Sequence, residues 1–278
     1  MLCGGARQRR GPSDLRHDGH AVSARASLAD VVPRRAGRLR RGVVRGEEAV
    51  RIASAAHHPY SLGAACHGLG YLYLRGGAID EAVPLLERSL AACRAADGSL
   101  PWLWAASALG AAYALVGRHA EALSLLEGAV QQAEDRQRRE GHAQRLAWLA
   151  EAHLLAERLD EAKEVGTRAL HVARDHRERG HEAWALRVLG EIHATADAAD
   201  EAETSYLRAI AVAEELGMRP LLAHCHLGLG RLYRRRGRAT AGRSHLHDAI
   251  ELLRAMEMTR WLIPAQAEAL PPPLTEPG

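Results

Sequence analysis

The side chains of this chain that could do chemistry are few. Lys163 is the only lysine among 278 residues, and it lies in Asp160-Glu161-Ala162-Lys163-Glu164 with no glycine loop before it. The phosphate loop of nucleotide hydrolases, the strand lysine of protein kinases and the Schiff base of pyridoxal enzymes each need a lysine in a setting that this one lacks. Asparagine is absent, so neither a Cys/His/Asn nucleophilic site nor an N-glycosylation acceptor is formed. No His-Glu-x-x-His and no Gly-x-Ser-x-Gly occurs. Cys3, Cys66, Cys93 and Cys225 stand far apart, without metal-ligand spacing, and the last three read as small core residues in a reducing cytoplasm. His224-Cys225-His226 looks like a ligand cluster, but adjacent residues on a helix diverge by about 100° and cannot close on one ion. Gly68-Leu69-Gly70 and Gly228-Leu229-Gly230 look like pieces of a dinucleotide loop, yet Tyr73 and Tyr233 stand where its third glycine belongs. Both strings fall inside expected helices and read as packing glycines. The chain is therefore read as non-enzymatic, with no metal and no cofactor.

What is left is recognition chemistry, and the elements that present it follow a period. Leu69-Gly70, Leu109-Gly110, Leu149-Ala150, Leu189-Gly190 and Leu229-Gly230 recur every forty residues. In the same phase come Tyr73, Tyr113, His153, His193 and Tyr233, then Gly77, Gly117, Glu157, Asp197 and Gly237. Glu81-Ala82, Glu121-Ala122, Glu161-Ala162 and Glu201-Ala202 follow, and then Ser89, Ala129, Ala169, Ala209 and Ala249. Apolar residues fall at helical spacing from Trp104 to Val116, stop at Gly117-Arg118 and restart at Leu123, Leu126 and Val130, so each unit reads as two antiparallel helices. The small residues let helices approach closely and the aromatic one turn later fills the adjacent gap. One pair cannot bury both of its faces, so stacking supplies the core. Ala and Leu dominate and only 4% of residues are aromatic, which also favours helix over strand.

The string Leu-Gly-x-x-Tyr-x-x-x-Gly-x-x-x-Glu-Ala, with Ala seven residues on, resembles the tetratricopeptide repeat. That resemblance implies an all-α, right-handed superhelical solenoid of antiparallel helix pairs, here with a 40-residue period. Repeats are expected at about 60–98, 100–138, 140–178, 180–217 and 219–256. A half repeat is expected at 44–58 and a capping helix at 259–270, with Trp261, Leu262 and Ala265 facing inward to cover the last repeat. Repeat three departs from the pattern at Ala150, His153, Glu157 and Gly166 and is expected to be the loosest. Residues 1–43 read as a disordered or spurious Arg-rich segment and 271–278 as a disordered tail. His58-Pro59-Tyr60-Ser61-Leu62, Gly68 to Arg75, Glu215 to Arg234 and Met256 to Trp261 resemble the carboxyl-terminal repeat region of bacterial proteins that join a cyclase or DNA-binding module to a signalling ATPase.

In the resembled family the concave face, lined by the first helix of each repeat, takes a peptide or a protein domain. Here the columns Ala64, Trp104, Gln144, Trp184, His224 and His67, Ser107, Ala147, Arg187, Leu227 fall on that face. So does Tyr71, Ala111, Glu151, Glu191, Arg231, with a fourth column ending at Arg234. The candidate groove residues are Tyr71, Trp104, Glu151, Trp184, Arg187, Glu191, His224, Arg231 and Arg234. Trp104 and Trp184 have the alternative of packing between repeats, and Arg231, Arg234, Arg235, Arg236 and Arg238 that of a solvated run. The expected partner is a protein or peptide, in bacterial signalling. The alternative is a truncated regulatory fragment of a multidomain cyclase or transcription-regulating ATPase, with an open N-terminal edge for stacking on upstream repeats or for self-association.

The formal charge of +3 has its source in residues 1–45, where eleven arginines face three aspartates. The remainder is mildly acidic, so no nucleic-acid partner is expected. No apolar run approaches membrane length and no secretory leader is recognisable, which suggests a cytoplasmic protein. The near-total replacement of lysine by arginine fits codons of a GC-rich bacterium.

Overall fold

The structure, a computed structural model, describes residues 25–95 and 99–269. Twelve helices and no strand occur among them: α1 (Arg25–Ala55), α2 (Pro59–Gly76), α3 (Ile79–Ala95), α4 (Ser99–Leu115), α5 (His119–Asp135), α6 (His142–Leu155), α7 (Leu159–Asp175), α8 (Arg179–Thr195), α9 (Ala199–Leu216), α10 (Arg219–Arg235), α11 (Ala239–Ala255) and α12 (Thr259–Ala269). The sequence starts ordered structure at residue 44, whereas α1 is helical from Arg25, so the half repeat is the end of a longer helix. Residues 1–24 and the tail 271–278, both read as disordered, lie outside the described residues, as does Cys3.

Each turn between paired helices is built the same way. Gly77, Gly117, Glu157, Asp197 and Gly237, one per repeat, all take positive φ, between 58° and 84°. The next amide then reaches back to the aromatic column: Ala78 to Tyr73, Arg118 to Tyr113, Arg158 to His153, Ala198 to His193 and Arg238 to Tyr233, at 2.8 to 3.0 Å. This is the six-residue closure of a helix C-terminus, which needs a left-handed residue. Glu157 and Asp197 adopt it at some strain, because an L side chain is disfavoured there.

The pairs α2/α3, α4/α5, α6/α7, α8/α9 and α10/α11 pack internally through the small column. A methyl group on Gly70, Gly110, Gly190 or Gly230 would come within 2.8 Å of Leu86, Leu126, Tyr206 or Leu246 respectively. Repeat three inverts the sizes: Ala150 stands opposite Gly166. Leu189 and Ile192 from α8 lie 3.1 and 3.2 Å from where a Gly166 methyl would sit, so the gap is filled from the next repeat. Ala150, Ala162, Val188, Leu189 and Ile192 form a buried cluster of their own there. Repeat three is thus not loose; its core is borrowed from its neighbour. Cys66, Cys93 and Cys225 are free thiols buried in these cores.

Successive pairs stack as α3 on α4, α5 on α6, α7 on α8 and α9 on α10. The first helices also touch one another, α2 with α4, α4 with α6, α6 with α8 and α8 with α10, which puts them on the inside of the curve. Stacking is reinforced by side chains crossing between repeats. Tyr113 Oη donates to Glu87 at 2.6 Å and Tyr233 Oη to Glu203 at 2.7 Å; burial, then the carboxylate, push both phenols up to about 12. At the far end α12 packs on α11, but it does more than cover the last repeat. The Trp261 ring lies against the backbone of Gly77, and Arg260 donates to the carbonyl of Leu115. Arg40 of α1 grips both Glu257 carboxylate oxygens at 2.8 and 3.0 Å, and α1 meets α11, so the two ends of the curve touch.

Candidate binding groove

A continuous path of rings and guanidinium groups runs along the first helices. The exposed end is Trp104 on α4, whose ring centroid is 6.2 Å from His67 on α2. His67 stacks on Tyr71, one turn on, at 5.9 Å, and Tyr71 meets the edge of Trp148 on α6 at 6.2 Å. Gln144 Nε2 donates to Tyr71 Oη at 3.0 Å, which fixes the ring. Arg75, one further turn along α2, lies 5.9 Å from Tyr71 and only 3.8 Å over the Trp184 ring of α8. Arg187 sits 5.4 Å from the same ring. Trp184 then leads to His224 on α10 at 6.0 Å, and His224 to Trp261 on α12 at 4.7 Å, edge to face. A cavity of about 80 Å³ opens among Arg75, Trp148, Glu151, Trp184, His224 and Trp261.

The charges in this row are arranged in pairs. Arg187, 7% exposed, donates to Glu151 Oε1 at 2.6 Å. Burial works against its charge, but Glu151 and Glu191 outweigh it and hold the guanidinium above its ordinary pKa. Arg231 binds both oxygens of Glu268 on α12, at 2.6 to 3.0 Å, and Arg234 donates to the backbone carbonyl of the same residue. Arg75 makes no salt bridge among the described residues; its half-buried guanidinium lies over Trp184 and near Tyr71, with Glu151 as the carboxylate whose charge it feels. His224 is held well below the ordinary histidine range by burial, then by the positive charges of Arg187, Arg75 and Arg231. It is therefore a neutral ring at neutral pH.

Of the residues that the sequence places in the groove, Tyr71, Trp104, Glu151, Trp184, Arg187 and His224 come together in this row. Glu191 lies beside Arg187, and Arg231 and Arg234 are engaged by α12. Trp104 is 43% exposed, so packing between repeats does not account for it, whereas Trp184 has two guanidinium groups close to its ring. The remaining arginines of the α10 end turn outward: Arg236 pairs with Asp200 at 2.6 Å and Arg238 with Glu203 at 3.2 Å. Sequence reasoning passed over Arg75, Trp148 and Glu268. Arg75 had a signal, four residues after Tyr71 on one helical face. Trp148 had none, since it stands in the column of Gly68, Ala108, Val188 and Gly228. A larger hollow of about 530 Å³, lined by Glu47, Arg51, Tyr73 and Arg88, lies away from this row and holds no ring stack.

The fold is an α-solenoid whose first helices line the inner face with a row of aromatic and charged side chains. The family model "Tetratricopeptide repeat" matches residues 65–98 and 105–140, so these stretches are tetratricopeptide repeats. No curated protein matches the chain. Among solved structures it is similar to the apo form of RapI (TM-score 0.66, 11% identity, 79% of this chain and 78% of that one). It is also similar to a Rap protein complexed with competence and sporulation factor (TM-score 0.62, 13% identity, 84% and 72%). A third is PH0952 from Pyrococcus horikoshii, a signal-transduction ATPase with a tetratricopeptide repeat sensor (TM-score 0.55, 16% identity, 81% of this chain and 36% of that one). At these identities the likeness is one of fold.

Proposed function

We propose that the chain is a non-catalytic interaction module that binds a peptide or protein domain along its concave face, in bacterial signalling and in the cytoplasm. The observation that carries this reading is the unfinished start of the row: Trp104 exposed at one end and Arg75 without a salt bridge at the other, joined through His67 and Tyr71. A partner that offers an aromatic or aliphatic side chain to Trp104 and a carboxylate to Arg75 would complete it, by stacking and by charge-assisted pairing. Beyond Arg75 the groove is already filled from within: α12 supplies Trp261 to His224 and Glu268 to Arg231, the same two kinds of group. That a Rap protein of similar fold is complexed with competence and sporulation factor supports a ligand-binding role for this fold. No helix among the described residues is long and apolar enough to cross a membrane.

Capture from the source lysate, read by quantitative mass spectrometry, tests the reading. Trp104→Ala and Arg75→Ala should each reduce partner recovery at least ten-fold, about 1.4 kcal/mol. Leu207→Ala, on the outer face of α9, should not. Equal recovery by wild type and both groove variants would refute it.

A second reading is favoured by the exposed Val44 and Ile52 on α1. It makes this edge a stacking surface for further repeats or a second copy, as in a regulatory segment of a multidomain cyclase or ATPase. Sedimentation over a hundred-fold concentration range should then show self-association that Val44→Glu with Ile52→Glu abolishes. A monomer throughout, from a gene with no repeats encoded upstream in frame, counts against it.

A further inference from the structure

The sequence run that looked most like a metal cluster, His224-Cys225-His226, does not converge: Cys225 is buried in the core and His224 faces Trp261. The third member does find partners, in the next helix. His226 on α10 points at α11, where its Nδ1 lies 2.8 Å from His245 Nδ1 and 3.9 Å from a carboxylate oxygen of Asp248. The three ligand atoms all lie within 4.8 Å of one another. His245 and Asp248, three residues apart, share one face of α11, and Leu246 between them fills the space over Gly230 that locks the two helices in register.

We propose that His226, His245 and Asp248 form a binding site for a divalent cation of the zinc class. Metal bonds of about 2.0 to 2.1 Å at tetrahedral angles separate ligand atoms by roughly 3.3 Å. The observed 2.8 and 3.9 Å bracket that value and the third pair lies within 4.8 Å, a separation that side-chain rotation would have to close around a bound ion. Two imidazoles and one carboxylate suit Zn²⁺, while Mg²⁺ and Ca²⁺ ask for oxygen ligands only. Burial keeps both imidazoles below the ordinary histidine range, hence in the neutral form that a metal needs. The cation that could compete is already spoken for: Arg238 lies over the Tyr233 ring at 4.2 Å and pairs with Glu203. Asp248 has no arginine partner among the described residues, and its side chain is 45% exposed, which leaves an entry path and a fourth position for water. A bound ion would staple α10 to α11, next to the arginines that hold α12.

The full chain, stripped with chelator, is titrated with Zn²⁺ by calorimetry and with Co²⁺ by visible absorption. One equivalent should bind with micromolar or tighter affinity, and Co²⁺ should give the intense bands of a tetrahedral site. His226→Ala and His245→Ala should each weaken binding at least a hundred-fold, and Asp248→Asn about ten-fold. His247→Ala, an exposed neighbour on α11, should leave it within two-fold. Circular dichroism reports folding, and the partly exposed Asp248→Asn carries the test if a histidine variant does not fold. Two outcomes overturn the proposal. One is no saturable binding, which leaves a neutral imidazole pair sharing one proton. The other is binding unchanged by His226→Ala and by Asp248→Asn, which marks an adventitious ion on another of the chain's sixteen histidines.

Discussion

Tyr206→Ala is expected to destabilise the chain by about 3 to 5 kcal/mol, the range for truncating a large, fully buried ring. Tyr206 is completely buried on α9 and is the largest of the fully buried side chains. Its ring lies against two helices at once: methyl groups on Gly190 of α8 and Gly228 of α10 would come within 2.7 and 2.4 Å of it. The other large members of this column, Leu86, Leu126 and Leu246, fill the space over a glycine of their own repeat. Tyr206 also reaches the following repeat, so truncating it opens a void at a joint between repeats as well as within one. Such a void does not collapse readily, because the backbones around it are held by the helix pairs on either side. At roughly 2 to 4 °C per kcal/mol for a chain of this size, the melting temperature should fall by about 10 °C. Urea unfolding followed at 222 nm gives the free energy. A loss under about 1.5 kcal/mol would show that the neighbours close the void and that Tyr206 is not a joint.

The same residue shows how far the sequence could be read. The forty-residue columns announce helix pairs because each column is a local event: a glycine under a leucine, a left-handed turn, a tyrosine whose carbonyl caps it. The glycines of Gly228-Leu229-Gly230 are packing residues, one under Tyr206 and one under Leu246. Gly166 was legible as a departure and not in its consequence. Its gap is filled by Leu189 and Ile192, residues that look ordinary in their own repeat. The groove divides in the same way. Tyr71, Trp184, Arg187 and His224 follow from phase alone. That Trp261 would meet Gly77 and His224 does not, since it depends on small rotations summed over five stacked pairs, and no window of one period contains that sum. Glu268 was missed for the same reason.

Glu151→Ala should cost about 2 to 3 kcal/mol by leaving Arg187 buried without its closest anion. Removing one partner of a fully buried pair typically costs about 3 to 5 kcal/mol. The lower value follows because the Glu151 side chain is 24% exposed and Glu191 still faces Arg187. Glu151→Gln retains one acceptor at 2.6 Å and should lose less than half as much. Urea unfolding of Glu151→Ala, Arg187→Met and the double variant separates two physical roles. If the pair is a net source of stability, the double variant stays as unstable as the singles. If the loss is the penalty of an uncompensated charge, the double variant recovers to within about 1 kcal/mol of the parent, because well-packed apolar groups replace buried ion pairs at little cost. The second outcome is the expected one, and it bears on function. The pair then serves to keep a guanidinium fixed beside Trp184, whose ring also carries Arg75, the residue proposed to take a partner's carboxylate. Partner binding by the double variant should therefore fall at least ten-fold while its stability is close to that of the parent, a separation that a purely structural ion pair would not produce.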